Sequence, residues 1–146
     1  MADDVRNIAT LVLSVALFGV SCGKEVGRVR VDLGKTATQS MALPEKARVL
    51  FPVHADSFSY KGRNYVMLKV ELLRQDKVVG SLDCRAFHMD RDAGGAGCGG
   101  TAQLNTDCET EVPPGGADAL RVSTHLETPE HAAEFENLAV GVRIKE

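Results

Sequence analysis

Cysteine is the residue type in this chain with the widest choice of chemistry, and the sequence holds four: Cys22, Cys84, Cys98 and Cys108. Zinc sites usually take paired cysteines at C-x2-C spacing, and no two of these have it. With His88, the last three make a conceivable four-ligand set, which the wide spacing disfavours. The sequence therefore predicts no metal site built on cysteine.

Residues 90–116 hold the other recognisable motifs. Residues 95–100 match the glycine pattern G-x-G-x-x-G, but that pattern binds a dinucleotide only where a helix follows, and residues 101–107 are predicted to continue as loop. Gly100 also stands where a phosphate-binding loop needs its lysine. We therefore expect no nucleotide and no other cofactor.

Carboxylates in the same segment are the calcium candidates. Asp90 and Asp92 stand two residues apart ahead of a glycine-rich run. Thr101, however, occupies the position of the bidentate glutamate, which excludes an EF-hand. Asp90, Asp92 and Asp107, with Glu109, are weak candidates for a calcium site, and a solvated acidic loop is the main expectation.

Sequence motifs for hydrolysis give no support for an enzyme. H-E-x-x-H is not found, and the one match to G-x-S-x-G, at residues 19–23, ends an apolar run and does not follow a predicted strand. His54, His88, His125 and His131 are scattered along the chain. A histidine on the polar face of a strand, as expected for His125, is far more often an ordinary surface residue than a catalytic base. The sequence predicts a protein that is not an enzyme.

The most distinctive stretch is an apolar run near the N-terminus. Residues 8–20 contain only two polar side chains, Thr10 and Ser14, and about 20 Å of helix is too short to cross roughly 30 Å of hydrocarbon. Such a run, ending in small residues, is typical of a secretory signal peptide. The alternative, an N-terminal core helix, would be expected to show a polar face. We predict that residues 1–21 direct export and are removed.

The end of that run, Gly19-Val20-Ser21-Cys22, resembles the lipobox of bacterial lipoproteins. In that family the cysteine is lipidated and becomes the first residue of the mature protein. The resemblance covers residues 1–22 only and implies that acyl chains on Cys22 hold the domain on a membrane. It implies an exported protein of the cell envelope, periplasmic or facing outward.

Export changes what the other three cysteines are expected to do, because an oxidising compartment favours a disulfide over free thiols. Cys98 and Cys108 lie in one loop, so we predict that they form the bond and close the loop. Cys84 alternates with Leu82 and Ala86 on one face of a strand and would be a buried thiol. The rival prediction bonds Cys84 to Cys108 or Cys98, which would tie the loop to the sheet.

Alternation of apolar and polar residues sets the expected fold. Several segments carry apolar residues at every second position, which places them on one face of a strand. These segments are residues 29–33, 49–53, 66–72, 120–126 and 138–144. One buried face and short connections favour an all-β fold, an antiparallel β-sandwich of six to eight strands.

Turn residues complete the expected topology. Residues 61–64 and 75–77 have the composition of hairpin turns, and Thr128 with Pro129 is typical of the start of a short helix running to Phe135. We divide the chain into a signal peptide (1–21), a tether (22–27) and one domain (28–146) with a long loop (90–116).

Composition narrows the classes of partner. A formal net charge of −3 with interspersed charges gives no basic stretch for nucleic acid, and few aromatic rings leave little for a stacking platform. We therefore predict a non-enzymatic binding or structural module, with an envelope protein or polysaccharide as partner. The alternatives are a sandwich that binds a small ligand or carbohydrate through loop 90–116, and an enzyme or its accessory domain.

Overall fold

The computed structural model describes residues 23–88 and 108–145, and this part of the chain is all-β, with eleven strands and no helix. The strands are β1 (Lys24–Arg30), β2 (Thr36–Leu43), β3 (Arg48–Leu50), β4 (Val53–His54), β5 (Ser57–Tyr60), β6 (Tyr65–Arg74), β7 (Lys77–His88), β8 (Glu109–Glu111), β9 (Ala117–Leu126), β10 (Ala133–Glu136) and β11 (Ala139–Lys145). The predicted all-β sandwich class is confirmed.

Two antiparallel sheets form the layers of the sandwich. Sheet A has the order β1-β11-β3-β8, and β4 also pairs with β11. Sheet B has the order β2-β9-β6-β7. Strands β5 and β10 pair only with each other among the described strands and form a separate two-stranded unit, called the ribbon below.

The core lies between the sheets and is built from the predicted apolar faces. On the face in β6, every second residue from Val66 to Leu72 is fully buried: Val66, Leu68, Val70 and Leu72. The other four predicted faces also face the core, and Leu33, Leu126 and Ile144 at their ends are partly buried. The period of two therefore correctly identified the inward side of each strand.

More strands form than the six to eight predicted. Residues 49–53 were expected to be one strand, but β3 ends at Leu50 and β4 begins at Val53, on either side of Phe51 and Pro52. Proline has no backbone N–H for a ladder, which suits it to such a break. The short strands β5, β8 and β10 carry too few residues for a clear alternation.

One of the two predicted hairpins forms. Gln75 and Asp76 both have positive φ, 50° and 65°, and join β6 to β7 with Arg74 paired to Lys77. Positive φ at both central residues is the type I′ conformation that suits two-residue hairpins. The prediction at residues 61–64 is wrong, because β5 pairs with β10 rather than with β6.

The side chain of Asn64 explains both that error and the missing helix at residues 128–135. Asn64 is 1% exposed. Its Nδ2 donates to the carbonyl oxygens of Thr128 and His131, and its Oδ1 accepts from the backbone N–H of Tyr65 and Thr128. These bonds occupy backbone groups that a helix would need, and the chain continues instead as β10.

The fold begins earlier than the predicted boundary. Strand β1 starts at Lys24, so most of the segment 22–27 that was predicted to be a tether lies in sheet A. Gly23 has a φ of 67°, and a Cβ there would lie 2.5 Å from the carbonyl oxygen of Ile144. The backbone is therefore packed against β11 from Gly23 onward.

Candidate functional site

Different turns and strand ends lie at the two ends of the sandwich. At one end, called the Lys24 end, β1 begins beside the end of β11, and the turn 44–47 and the hairpin tip 75–76 lie there too. At the other end, called the ribbon end, β4 leads into β5 and β10 leads into β11. The ribbon thus lies at the far end of β1 from Lys24.

A shallow groove follows the ribbon. It consists of two cavities of about 240 and 340 Å³ that share Ser59 and Glu134, which are opposite each other in the two strands. The rest of its lining is Ser57, Phe58, Tyr60, Lys61, Ala132, Ala133, Phe135 and Glu136. Hydroxyl and carboxylate groups therefore line a shallow depression along the outer face of the ribbon.

Aromatic contacts fix the ribbon on the sandwich. The ring of Phe58 lies 5.2 Å from that of Phe87 on β7, edge to face, and 5.8 Å from that of Phe135, nearly parallel. Tyr60 stacks on Phe58 at 6.1 Å and is 40% exposed. Edge-to-face and offset pairs at these distances are favourable geometries for aromatic rings. These ring contacts therefore hold the ribbon against the sandwich.

The polar residues of the groove alternate with those rings along the ribbon. Ser57 and Ser59 on β5 face Glu136 and Glu134 on β10, and the Ser57 hydroxyl donates to Glu136 Oε2 at 2.9 Å. All four side chains are exposed. Carboxylates accept hydrogen bonds and hydroxyls both accept and donate them, so these four side chains can bind a hydroxylated ligand.

A second cluster lies on the outer face of sheet A around His54. The imidazole is 3% exposed and lies against Gly141 of the neighbouring strand β11. Its Nε2 is 3.5 Å from Glu25 Oε1, and the same carboxylate oxygen accepts a hydrogen bond from Arg28 Nε at 2.8 Å. Among the described residues neither ring nitrogen of His54 has a hydrogen-bond partner, so none of the described hydroxyls is placed against it as in a catalytic triad.

Burial and charge set the ionisation of this cluster. Burial lowers the pKa of His54, as does the positive charge of Arg28 and Arg143, and the carboxylate of Glu25 only partly opposes this. Burial raises the pKa of Glu25, but the hydrogen bond and charge of Arg28, with the charges of His54 and Arg143, outweigh it and leave that pKa below its usual value. A neutral imidazole therefore lies beside an ionised carboxylate at neutral pH.

The disulfide joins Cys84 to Cys108, with their Cα atoms 5.5 Å apart. This is the rival pairing, and the favoured Cys98–Cys108 bond is wrong. Pairing of β8 with β3 places Cys108 in the core, where its carbonyl oxygen accepts from the N–H of Phe51. Cys84 lies on the inner face of β7 as predicted, so the bond links the two sheets.

Several predicted residues lie outside the described residues: Cys22, Cys98, Asp90, Asp92 and Asp107. Lipidation and the weak calcium site therefore stay predictions. Glu109 is described, and its carboxylate lies 3.1 Å from Arg48 and 3.9 Å from Lys145. Within residues 23–88 and 108–145, no group of three or more His, Cys, Asp or Glu side chains could hold a metal ion. The same ranges contain no helix long and apolar enough to cross a membrane.

Sequence reasoning missed three features of these sites. The sequence does not indicate that His54 is buried, because its position, one residue after the inward-facing Val53, predicts a side chain that points outward to solvent. The role of Asn64 depends on residues more than sixty positions away. The groove depends on the pairing of β5 with β10, which no local pattern in the sequence indicates.

No family model, curated protein or solved structure matches the chain. The groove and the Lys24 end of the sandwich are therefore the features from which a function can be inferred.

Proposed function

We propose that the protein is exported and held at the cell envelope by lipid on Cys22, where its β-sandwich acts as a non-enzymatic binding module. The observation that carries the proposal is the Cys84–Cys108 disulfide, which is buried and links the two sheets. Structural disulfides of this kind persist in oxidising compartments such as the periplasm or the cell surface. The bond and the lipobox-like ending at Cys22 thus favour the same address independently.

The distance in sequence between Cys22 and the first packed residue of the domain is consistent with a short tether. Gly23 follows Cys22 directly and is already packed against Ile144, so acyl chains on Cys22 would sit next to the Lys24 end of sheet A. The seven residues of β1 span about 20 Å at roughly 3.3 Å each. An anchor at Cys22 would therefore hold the ribbon groove away from the membrane surface.

Lipidation of Cys22 is tested by mass spectrometry of the protein isolated from its native host. We expect the wild-type chain to have lost residues 1–21 and gained acyl mass on Cys22, and to sediment with membranes, since more than one acyl chain anchors a protein stably. The variant Cys22→Ala should lack the added mass and the processing that depends on it. The matched control Cys98→Ala should behave as wild type. An unmodified chain running from Met1 to Glu146 would refute the anchor.

A second candidate function, binding of a carbohydrate, is favoured by the ribbon groove rather than by the loop to which the sequence assigned it. The groove carries the exposed hydroxyls of Ser57 and Ser59 and the exposed carboxylates of Glu134 and Glu136, and Tyr60, whose side chain is 40% exposed, borders it. Sugars present hydroxyls to polar groups and apolar ring faces to aromatic side chains. Shallow, open grooves suit such ligands because only part of an oligosaccharide needs to be enclosed.

This candidate is tested by titrating the mature protein with a panel of soluble neutral oligosaccharides and measuring heat. We expect one class to bind, and Glu134→Gln to weaken its binding about tenfold, because loss of a charged hydrogen-bond partner costs roughly 1.5 kcal/mol. Glu130→Gln is the control, since Glu130 is exposed nearby but does not line the groove. Equal affinities of the two variants, or no binding at millimolar sugar, would exclude the groove as a carbohydrate site.

A further inference from the structure

Each sheet of the sandwich ends in two edge strands, and among the described strands three of these four edges are protected against further pairing. The edges are β1 and β8 in sheet A and β2 and β7 in sheet B. Charged residues, bulges and a short length all discourage an edge strand from pairing with another chain. Strands β1 and β7 each contain at least three charged residues and a bulge, and β8 has three residues, two of which are glutamates.

Strand β2, the fourth edge, lacks this protection over most of its length. Its eight residues, TATQSMAL, include neither a charged residue nor a proline, and five of them are exposed. Its bulge lies after Ser40, so residues 36–40 pair with β9 in regular register. On its other side β2 pairs with no other described strand. An exposed, uncharged and regular edge of this kind is a place where another strand can add to the sheet.

Hydrogen bonds to β9 show which backbone groups of β2 face this free side. The N–H of Thr124 on β9 donates to the carbonyl oxygen of Lys35, just before β2, so the backbone groups of Thr124 face β2. This direction alternates from residue to residue in an antiparallel ladder, and Thr36 is paired with the residue next to Thr124. The N–H and C=O groups of Thr36 therefore point away from β9, and those of Thr38 and Ser40 do the same.

We propose that β2 pairs antiparallel with β2 of a second copy of this chain, about a two-fold axis at Thr38. An axis at this point places Thr38 opposite Thr38 of the other copy, and Thr36 opposite Ser40. The outward N–H of each of these residues then donates to an outward carbonyl oxygen of the other copy. The two four-stranded sheets B become one continuous sheet, and the proposal does not depend on the lipid anchor.

The composition of β2 favours its own copy as the partner. In a two-fold interface the same surface meets itself, so a charged residue near the axis would face an equal charge. No charge occurs between Lys35 and Glu45. Hydroxyl pairs such as Thr38 with Thr38 are favourable across antiparallel strands. The Thr36 hydroxyl already hydrogen-bonds that of Ser123 on β9 at 2.9 Å, so the pairing would extend a row of hydroxyls across both copies.

Cysteine cross-linking tests the register, with the mature protein in non-ionic detergent and Cys98→Ala as the background. A short bis-thiol reagent should join two Thr38→Cys chains, because Cα atoms of a hydrogen-bonded antiparallel pair are about 5.5 Å apart. Thr36→Cys alone should react about tenfold less, since its two copies would lie roughly 13 Å apart along the strands. Mixing Thr36→Cys with Ser40→Cys should restore the cross-link. Ser81→Cys, exposed on the opposite edge strand β7, is the control and should stay monomeric.

Charge at the axis tests the association itself, measured by analytical ultracentrifugation. We expect Thr38→Lys to weaken dimerisation at least about tenfold, because it places equal charges close together across the axis. Ser81→Lys should dimerise as the wild-type chain does. Thr38→Pro should also be monomeric and keep the wild-type circular dichroism spectrum, since it removes an N–H that points outward. Ala37→Pro should lose stability, because that N–H faces β9.

Three results would overturn the pairing. They are a wild-type chain that sediments as a monomer at millimolar concentration, equal dimerisation of Thr38→Lys and Ser81→Lys, and cross-linking of Ser81→Cys in place of Thr38→Cys. The mass of the acyl chains on Cys22 is measured separately, so failure of the pairing and failure of the anchor are distinguishable.

Discussion

Replacing both Cys84 and Cys108 with alanine is expected to lower the free energy of unfolding by about 3.5 kcal/mol, because a bond across 24 residues removes that much chain entropy from the unfolded state. The double variant is preferred to either single one, since a lone Cys108 would be free to bond with Cys98. Urea unfolding of the mature protein, followed by circular dichroism, measures the change. The same loss should appear when the wild-type protein is unfolded in a reducing agent.

Cys98→Ala is the matched control for this experiment. Because Cys84 and Cys108 bond to each other, removing Cys98 should leave the free energy of unfolding and its response to reductant unchanged. A large loss of stability in Cys98→Ala, with little loss in Cys84→Ala, would instead favour the closed loop Cys98–Cys108. The two pairings thus predict opposite rankings of single alanine variants.

The parts of the fold that depend on residues close together in sequence were predictable. Apolar residues at every second position identify the buried side of β6 whichever strands lie beside it. The residues of the β6–β7 turn, Gln75 and Asp76, adopt positive φ within the hairpin itself. Residues 61–64 and 128–135 were mispredicted because each is held by the other through Asn64, a contact that no local pattern records.

The candidate site was predictable only in part, for the same reason. Sequence proximity favoured Cys98 as the partner of Cys108, but strand pairing decides which sulfur atoms meet, and β8 lies on β3 in the core. His54 lies on the outer face of sheet A, one residue after the inward-facing Val53, and its burial depends on the absence of a side chain at Gly141 in the neighbouring strand. The pairing of the cysteines and the burial of His54 are both determined by residues far away in sequence.

His54 is expected to make the protein less stable in mild acid. Because its pKa in the folded state lies below the usual 6.5, the unfolded chain binds a proton more readily as the pH falls below 6.5. The free energy of unfolding should then decline by at most about 1.4 kcal/mol per pH unit until the folded-state pKa is reached. Stabilisation from Glu25, whose pKa is also lowered, is lost only below about 4.5, so unfolding between pH 6.5 and 5 isolates the histidine. His54→Ala should flatten this slope, and His125→Ala, an exposed histidine on sheet B, should not.

Gly141→Ala tests the same packing by steric means. A Cβ at this position would lie 2.7 Å from His54 Nε2, 3.0 Å from Pro52 Cγ and 3.2 Å from Glu25 Oε1, so we expect a loss of about 1–3 kcal/mol, typical of overpacking. Removing the imidazole removes the closest of these contacts, and Gly141→Ala should therefore cost less in a His54→Ala background. Displacement of His54 toward solvent by the new methyl group would also reduce the acid dependence of the Gly141→Ala variant. Strictly additive losses with an unchanged pH slope would mean that the imidazole does not rest on Gly141, since residues in contact are those whose substitutions couple.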